Sequence, residues 1–465
     1  MATRKLQARL HYGTPTTIRI HRTPCLTMTQ CLAAMPSPAI STDQSPSTYR
    51  QPKHWEWAVL TVFLGLIGTA VLSTLPQVHY APTGNDEAFY LYYAGSVAKG
   101  GIGVIPDLFS TFRATPSHGW FPPPLRIGYF IPAAIWMQNG GIDFAALSHF
   151  SLSAFLVSIA GVFLFARRWL SGLHTWLATI LFAFSPLLLG LSRRALQDTW
   201  VTLLGMISLF LFLECLVRPR LRWQIAFVGC FTLTLLSKEP CVLLAPAFFL
   251  AALVFETKKT VRTGRIKRLV HCFLLLVAPT LITFAVWVFF AGGTSEFLDI
   301  IRIILNNTGT TNPYLLKFGA GPWYRYLLDF MLLSPWVLIL AFIGAGSFLV
   351  QVNARDTDHK FHLVAQNSLL LYLLIISSSL LFEHAFLHKN VRFLAILDLT
   401  LCILATHAII EFKQLFPGRI RLAATAAVIT ALCWNRWSSF STLFVKGQLY
   451  DPVSANLLFL RSIVQ

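Results

Sequence analysis

The chain has 465 residues, of which 55% are hydrophobic and only 12% are charged, and its mean hydropathy is +0.63. A soluble domain carries about 25% charged residues, so this composition excludes an ordinary soluble protein and indicates a polytopic membrane protein. The formal net charge is +18, but basic residues of membrane proteins gather in cytoplasmic loops, so we interpret this charge as topological and expect no nucleic-acid partner.

The first 54 residues differ from the rest of the chain. Residues 1–54 are rich in Arg, Ser, Thr and Pro, contain Asp43 as their only acid and show no apolar periodicity. A segment of this kind buries too little apolar surface to fold, so we predict a disordered basic leader. Met35 offers an alternative start of translation, and a transit peptide is the other interpretation.

Long apolar segments follow the leader. A helix needs about 20 mostly apolar residues to cross a membrane, and by this criterion the sequence predicts about eleven transmembrane helices. They belong to a membrane domain of residues 55–441, which a short tail of residues 442–465 follows. We therefore predict an all-α polytopic membrane protein. The spans lie near residues 55–75, 145–166, 174–192, 199–217, 223–237, 240–256, 269–290, 332–351, 364–382, 393–412 and 421–441.

Basic residues lie in alternate connections between these spans. By the positive-inside rule the N-terminus and these basic connections are cytoplasmic, and most acids lie on the outer side. We expect an integral, multi-pass protein of a bacterial inner or plasma membrane with its active site outside. The basic connections contain residues 167–168, 218–222, 258–268, 355–360 and 413–421.

The longest outer loops are residues 76–143 and 291–331. In the first, Asp86, Tyr90, Tyr93 and Val97 share one helical face by their spacing. The stretch 122–138 is also apolar, but it is short and begins with three prolines, and a crossing here would place the later basic clusters outside. We therefore predict two juxtamembrane helices in this loop, both lying at the membrane interface.

Carboxylates occur at two outer positions. Asp86 and Glu87 are adjacent, and a carboxylate in a partly dry cleft can accept a proton from an attacking hydroxyl or amine. Acids in the first turn of a surface helix also favour the helix dipole, which is the structural alternative. Asp198 opens a later span, and Arg194 at i, i+4 spacing can simply pair with it.

Basic residues share the same side. Lys238 in a tight outer hairpin can meet a phosphate or can snorkel to the interface. The loop EHAFLHKNVRF adds Lys389 and Arg392, and bases outside the membrane favour an anionic ligand. His384 and His388 have i, i+4 spacing, which leaves a metal site open without indicating one.

Five stretches in a fixed order resemble the integral membrane glycosyltransferases of superfamily C, in the branch of protein O-mannosyltransferases and lipid A aminoarabinose transferases. They are NDEAFYLYYAGSVAKGG and PPPLRIGYF in the first outer loop, then SRRALQD, LLSKEPCVLLAP and HKNVRF. Each motif alone is weak, but their order over residues 55 to about 412 makes the resemblance specific. HKNVRF departs at Asn390 from the HKExRF pattern of dolichol-linked mannosyltransferases, which leaves the sugar open.

The resemblance implies a polyprenyl-phosphate sugar donor, a lipid, glycan or protein acceptor, and inversion at the sugar carbon. By position, Asp86 would be the general base with Glu87 beside it, and Asp198 would be a second acid of the site. Relatives differ in their use of a divalent cation, so Mg²⁺ or Mn²⁺ held by Asp86 and Asp198 stays open. The implied phosphate-binding residues are Lys238, Lys389 and Arg392. The candidate substrate contacts are Tyr90, Tyr93, Trp120, Arg194 and His388.

Two other functions use the same residues. A transporter or flippase of lipid-linked sugars would grip the headgroup with these bases, but transporters commonly show repeats and broken helices near the bilayer midplane, whereas these charges gather at one face. A membrane scaffold would leave unexplained why acids and bases occupy the same side. We therefore favour the glycosyltransferase.

Overall fold

The computed structural model describes residues 52–75, 86–115, 121–257, 264–310, 319, 321–356, 365–414, 416–418 and 420–446. Within these ranges the regular elements are all helical, so the predicted all-α fold is confirmed. Almost all of the predicted leader and residues 447–465 of the predicted tail lie outside them. The α-helices are α1 His54–Leu72, α2 Asp86–Gly100, α3 Ile105–Ala114, α4 Ile127–Gly140, α5 Phe144–Trp169, α6 Gly172–Ala183, α7 Pro186–Ser192, α8 Asp198–Val217, α9 Leu221–Ser237, α10 Leu244–Thr257, α11 Arg265–Ala291, α12 Thr294–Thr310, α13 Arg325–Leu333, α14 Pro335–Asp356, α15 Ala365–His384, α16 Leu397–Lys413 and α17 Arg421–Phe440.

A helix occupies each of the eleven predicted spans, but fewer meet a strict criterion for crossing a membrane. Seven helices of the described residues are long and apolar enough, when α10 is counted together with the 3-10 turn Glu239–Leu243 that precedes it. α6 with α7 would make an eighth as one bent span. α9 and α16 have only 17 residues each, and α17 has 20 residues but is less apolar than the other spans. Length and hydropathy therefore do not reproduce the count of eleven.

α6 and α7 are two halves of one apolar segment that bends by 54°. Pro186 at the start of α7 lacks the backbone N–H that would continue α6. Oγ of Ser185 accepts at 3.3 Å from the backbone N of Leu188, which begins the new helix. The break therefore follows from the local sequence Ser-Pro.

A buried ion pair lies beside this break. Nη2 of Arg436 donates at 2.8 Å to both carboxylate oxygens of Asp398, and its Nη1 donates at 3.0 Å to the carbonyl oxygen of Leu181 near the end of α6. Arg436 is fully buried. Charges inside a membrane protein need such partners, and this pair allows α17 to place an arginine against α16 and α6.

The first outer loop contains α2 and α4, at the positions of the two predicted juxtamembrane helices, and α3 between them. α2 buries Tyr90, Tyr93 and Val97, so the predicted helical face is confirmed. α4 begins at Ile127, after the three prolines, because proline supplies no N–H and biases the residue before it towards extended backbone. α2 packs against α4, which itself packs against α9.

α4 and α9 approach closely at Gly128. A Cβ at this position would lie 2.7 Å from the carbonyl oxygen of Leu233 and 2.8 Å from Oγ of Ser237. The carbonyl oxygen of Gly128 accepts at 3.0 Å from Nε1 of Trp200. This glycine therefore fixes α4 against both α8 and α9.

Gly128→Ala is expected to lower the free energy of unfolding by about 1–3 kcal/mol, since the new methyl group must displace backbone atoms of α9. Thermal unfolding of the purified protein in detergent measures the effect. Gly161→Ala is the matched control, because nothing lies within 4 Å of a Cβ at that helical position. Equal unfolding temperatures for the two variants would contradict the close approach.

Candidate active site

Four segments bring charged residues together at one end of the helices. Asp86 is the first residue of α2 and Asp198 is the first residue of α8. Lys238 follows the last residue of α9, and Arg392 lies in the 3-10 turn Val391–Leu394. Because α8 and α9 run in opposite directions, the start of one lies beside the end of the other.

These two acids and two bases, Asp86, Asp198, Lys238 and Arg392, form a cluster that we call the charged quartet. Nζ of Lys238 lies 2.5 Å from Oδ1 of Asp198. Nη1 of Arg392 lies 3.7 Å from Oδ2 of Asp198. Both Nη atoms of Arg392 lie 3.4 Å from Oδ2 of Asp86. Arg392 therefore bridges the two carboxylates.

The two carboxylates differ in burial. The side chain of Asp198 is 3% exposed and contacts both bases, whereas that of Asp86 is 29% exposed. The contacts of Asp86 with Arg392, at 3.4 Å, are longer than the about 2.7–2.9 Å of a strong charge-assisted hydrogen bond. Asp86 is thus the more accessible of the two acids and has the longer contacts, and Asp198 is a buried charge.

Neighbouring residues orient the two bases. Oδ1 of Asn390 accepts from Nε of Arg392 at 3.3 Å and from its backbone N at 3.1 Å. This leaves both Nη atoms to the carboxylates. Nζ of Lys238 lies 4.7 Å from the ring centroid of Phe393, a favourable cation–π position. The departure from the HKExRF pattern at Asn390 thus retains an oxygen acceptor for the arginine.

Glu87 and Arg194 form a separate buried ion pair. Nε and Nη2 of Arg194 lie 2.7 and 2.9 Å from the two oxygens of Glu87, and the backbone N of Ala195 donates to the same carboxylate at 3.0 Å. Glu87 is fully buried. This bidentate pair fixes the start of α2 against the segment before α8, which favours a positioning role over the catalytic and substrate-contact roles implied by the resemblance.

The structure gives Lys389 and His388 other surroundings than the quartet. Nζ of Lys389 donates to the carbonyl oxygens of His384, Ala385 and Leu387 at 3.2, 2.6 and 2.6 Å. The ammonium therefore caps the end of α15, and burial lowers its pKa. The side chain of His388 is exposed. Of the basic residues in the HKNVRF motif, Arg392 is the one that belongs to the charged quartet.

The tyrosines predicted to contact substrate are buried. Tyr90 and Tyr93 are 2% and 1% exposed. The hydroxyl of Tyr93 donates to the carbonyl oxygen of Pro122 at 3.2 Å, and that of Tyr90 accepts from Nη1 of Arg126. Burial raises the pKa of both phenols, so they stay neutral. These contacts favour packing and positioning roles, and Trp120 lies outside the described residues.

A small cavity of about 40 Å³ opens beside the two bases of the quartet. Lys238, Arg392 and the buried His384 form its polar side. Its remaining wall is mostly apolar and includes Val201, Leu244, Leu380, Phe393 and Ile396. The cavity therefore has a positively charged side and a mostly apolar wall.

A divalent cation does not fit the quartet as it is arranged. The guanidinium of Arg392 lies between Asp86 and Asp198, where a bridging ion would have to be, and Lys238 contacts the other oxygen of Asp198. Among the residues that the structure describes, His, Cys, Asp and Glu form no group of three or more that could hold a metal ion. In this arrangement the two carboxylates pair with the cations of Lys238 and Arg392.

Because Arg392 and Lys238 already contact the two carboxylates, chelation is expected to leave the rate of a reaction at this site unchanged. The measurement compares initial rates of the purified protein in EDTA with rates after added Mg²⁺ or Mn²⁺. Loss of activity in EDTA that Mg²⁺ or Mn²⁺ restores would contradict this arrangement.

The sequence assigned no role to three residues next to the quartet, Asn390, Arg126 and Glu239. Arg126 and Glu239 pair with each other, with Nε of the arginine 3.1 Å from Oε1 of the carboxylate. Arg126 and Glu239 each place a charge within a mostly apolar motif, and this charge was the signal in the sequence that could have marked them as candidates. Nothing in the spacing pointed to the pairing, because the two are 113 residues apart.

One sequence family matches part of the chain. Residues 124–287 match a family model described as dolichyl-phosphate-mannose-protein mannosyltransferase. The matched range includes Asp198 and Lys238 and ends before Arg392. No curated protein sequence matches the chain significantly.

Solved structures share the fold over most of the chain. ArnT from Cupriavidus metallidurans in the apo state aligns with a TM-score of 0.52 at 14% identity, over 86% of this chain and 78% of ArnT. The Archaeoglobus fulgidus oligosaccharyltransferase in the apo form aligns with a TM-score of 0.58 at 13% identity, over 84% of this chain and 56% of the other.

A second structure of the archaeal enzyme, AglB in complex with an inhibitory peptide and a dolichol-phosphate, aligns with a TM-score of 0.53 at 12% identity, over 84% of this chain and 56% of AglB. The chain thus spans just over half of the oligosaccharyltransferase and more than three quarters of ArnT. The resemblance to the superfamily C membrane glycosyltransferases is confirmed, and the chain has the fold of that superfamily.

Proposed function

We propose that the chain is a glycosyltransferase that moves a sugar from a polyprenyl-phosphate donor to a lipid, glycan or protein acceptor, with inversion at the sugar carbon. The observation that carries the proposal is the charged quartet. A partly exposed carboxylate, Asp86, contacts Arg392, and Arg392 and Lys238 are two largely buried bases that share Asp198 and line a mostly apolar cavity. A carboxylate base for the nucleophile and positive charge for a lipid-linked phosphate are the two features that this reaction needs.

The comparisons support the same class of reaction. The matching family model is named for a mannosyltransferase that uses dolichyl-phosphate-mannose, and AglB is an oligosaccharyltransferase whose structure contains a dolichol-phosphate. Lipid-phosphate carriers thus recur among the proteins that resemble this chain. The identity of the sugar stays open, and the acceptor can be a lipid, a glycan or a protein.

The bond changes follow from the placement of the quartet. The acceptor hydroxyl or amine attacks the sugar carbon while Asp86 accepts its proton, and the bond from that carbon to the phosphate oxygen breaks. The bonding electrons stay on the polyprenyl phosphate, whose negative charge increases. Lys238 and Arg392 stabilise this charge, because ammonium and guanidinium groups fixed in a water-poor site favour the transition state over the bound donor.

Arg392 couples donor binding to the freeing of Asp86. The quartet contains two carboxylates and two cations, so its charges balance before a donor enters. A donor phosphate that contacts Arg392 competes with the long 3.4 Å contacts of Asp86. Asp198 stays in place as the buried partner of Lys238. Asp86 then becomes available as a base when the donor is present.

The reaction takes place on the outer side of the membrane. The quartet lies at the start of α8 and the end of α9, whereas residues 218–222 with their three arginines connect the opposite ends of the same two helices. Arg167 and Arg168 also lie at the far end of α5 from Asp143. The positive-inside rule places these arginines in the cytoplasm and the quartet outside.

The test is a reconstitution with a mixed substrate pool. Purified protein in liposomes is incubated with polyprenyl-phosphate sugars and acceptors from host membranes, and mass spectrometry identifies sugar-linked products and free polyprenyl phosphate. A new sugar-linked product together with free polyprenyl phosphate supports the transferase. Donors that cross the bilayer intact, without either product, would identify a transporter and overturn the proposal.

A further inference from the structure

We propose that Arg126 is a positioning residue for sugar transfer, which ties together the three chain segments that carry Asp86, Asp198 and Lys238. This inference rests on the proposed function. Arg126 lies between the three prolines of the first outer loop and α4, and its side chain is 14% exposed.

The guanidinium of Arg126 contacts three partners. Nε lies 3.1 and 3.2 Å from the two oxygens of Glu239, and Nη2 lies 3.1 Å from one of them. Nη1 donates to the hydroxyl of Tyr90. With its amide oriented to satisfy both ends, Gln197 accepts from Nη1 at 2.9 Å and from the Tyr90 hydroxyl at 3.0 Å, and donates to the carbonyl oxygen of Ser237 at 2.9 Å.

Each partner is next to one member of the quartet. Tyr90 lies one helical turn after Asp86 on α2, Gln197 directly precedes Asp198, and Glu239 directly follows Lys238. One side chain therefore fixes the relative positions of three segments that are far apart in sequence. A shift of about 1 Å in such a site can lower a reaction rate by about 100-fold.

Arginine suits this role because of its charge and its shape. Burial by itself lowers the pKa of a guanidinium, but the adjacent Glu239 carboxylate, with a smaller contribution from Asp86, raises the pKa of Arg126 above its ordinary value. The group thus stays charged. Its planar fork reaches Glu239, Tyr90 and Gln197 at once, which a lysine ammonium cannot do. All three of its nitrogen groups contact protein, so it acts through the quartet and not on the substrate.

The central experiment removes the ion pair as a whole. Arg126→Gln, Glu239→Gln and the double variant are compared with wild type in the reconstituted transfer assay, and their unfolding temperatures are measured. In the double variant both charges leave together, so its stability is expected to stay near that of wild type. Its kcat is expected to fall by about 10- to 100-fold, with the donor KM changed by less than about threefold.

If the ion pair has only a structural role, kcat behaves differently. In that case the single variants are unstable, and the double variant regains both its stability and its kcat. That outcome would overturn the positioning role. If wild type itself transfers no sugar from any donor, the proposed function has failed, so the two failures are distinguishable.

A matched pair of variants tests the link to α2 without removing a charge. Tyr90→Phe deletes the hydroxyl that contacts Arg126 and is expected to lower kcat by about fivefold to tenfold. Tyr372→Phe is the control, since this buried hydroxyl donates at 2.9 Å to the carbonyl oxygen of Leu209, in another part of the bundle. Equal kcat values for the two variants would contradict the proposal.

Discussion

Asp86→Asn is expected to lower the rate of sugar transfer by about 10²- to 10⁴-fold, because the amide occupies the same volume but accepts no proton from the acceptor. The side chain is 29% exposed and its contacts are long, so the substitution is expected to leave the fold nearly unchanged. Donor binding is expected not to weaken, because the amide competes less than the carboxylate for Arg392. Initial rates of product formation and equilibrium binding of the donor measure the two effects separately.

Asp107→Asn is the control for this substitution. Asp107 lies on α3 in the same loop and is exposed, so Asp107→Asn removes an equal charge from that loop. A transfer rate of Asp86→Asn within a few-fold of that control would exclude Asp86 as the base. Weakened donor binding with an unchanged rate at saturation would assign Asp86 to donor binding instead.

Lys238→Gln is expected to lower kcat/KM by about 10²- to 10³-fold, since the ammonium is one of two positive charges that face the leaving phosphate. A second effect acts on stability. Asp198 is 3% exposed and loses its 2.5 Å partner, which is expected to lower the free energy of unfolding by about 3–5 kcal/mol. Steady-state kinetics and thermal unfolding of the same preparation measure both quantities.

A double variant separates chemistry from folding. Lys238→Gln with Asp198→Asn removes both charges, so stability is expected to recover while kcat/KM stays low. Lys99→Gln, at an exposed position at the end of α2, is the control for the loss of one lysine. Recovery of kcat/KM in the double variant would show that Lys238 acts only as a partner of Asp198.

The quartet could be predicted because charge is costly at a membrane boundary. Asp86, Asp198, Lys238 and Arg392 each lie next to an apolar segment, and the order of the spans places all four on one side. The buried face of α2 could also be predicted, since the spacing of Tyr90, Tyr93 and Val97 follows the period of a helix. The four residues share one side in the prediction, and in the structure they contact one another.

The pairings could not be predicted, because they join residues far apart in sequence. Local spacing offered Asp198 as the partner of Arg194, but Arg194 pairs with Glu87, 107 residues away. Lys389 carries the same charge as Lys238, but its ammonium donates to carbonyl groups at the end of α15. The sequence does not show that this helix end lies within its reach. The strict length and hydropathy criterion counts fewer spans than the sequence predicts, partly because it takes no account of a buried partner such as Asp398, which allows Arg436 inside the bundle.

The stoichiometry of transfer is the most direct test of the central claim that this chain moves a sugar from polyprenyl phosphate to an acceptor. An isotope-labelled polyprenyl-phosphate sugar is supplied to the reconstituted protein, and free polyprenyl phosphate and labelled acceptor are counted in one sample. We expect equal amounts of the two from wild type and neither from Asp86→Asn. A labelled donor that stays intact with wild type, whether bound or moved across the bilayer, would contradict the claim.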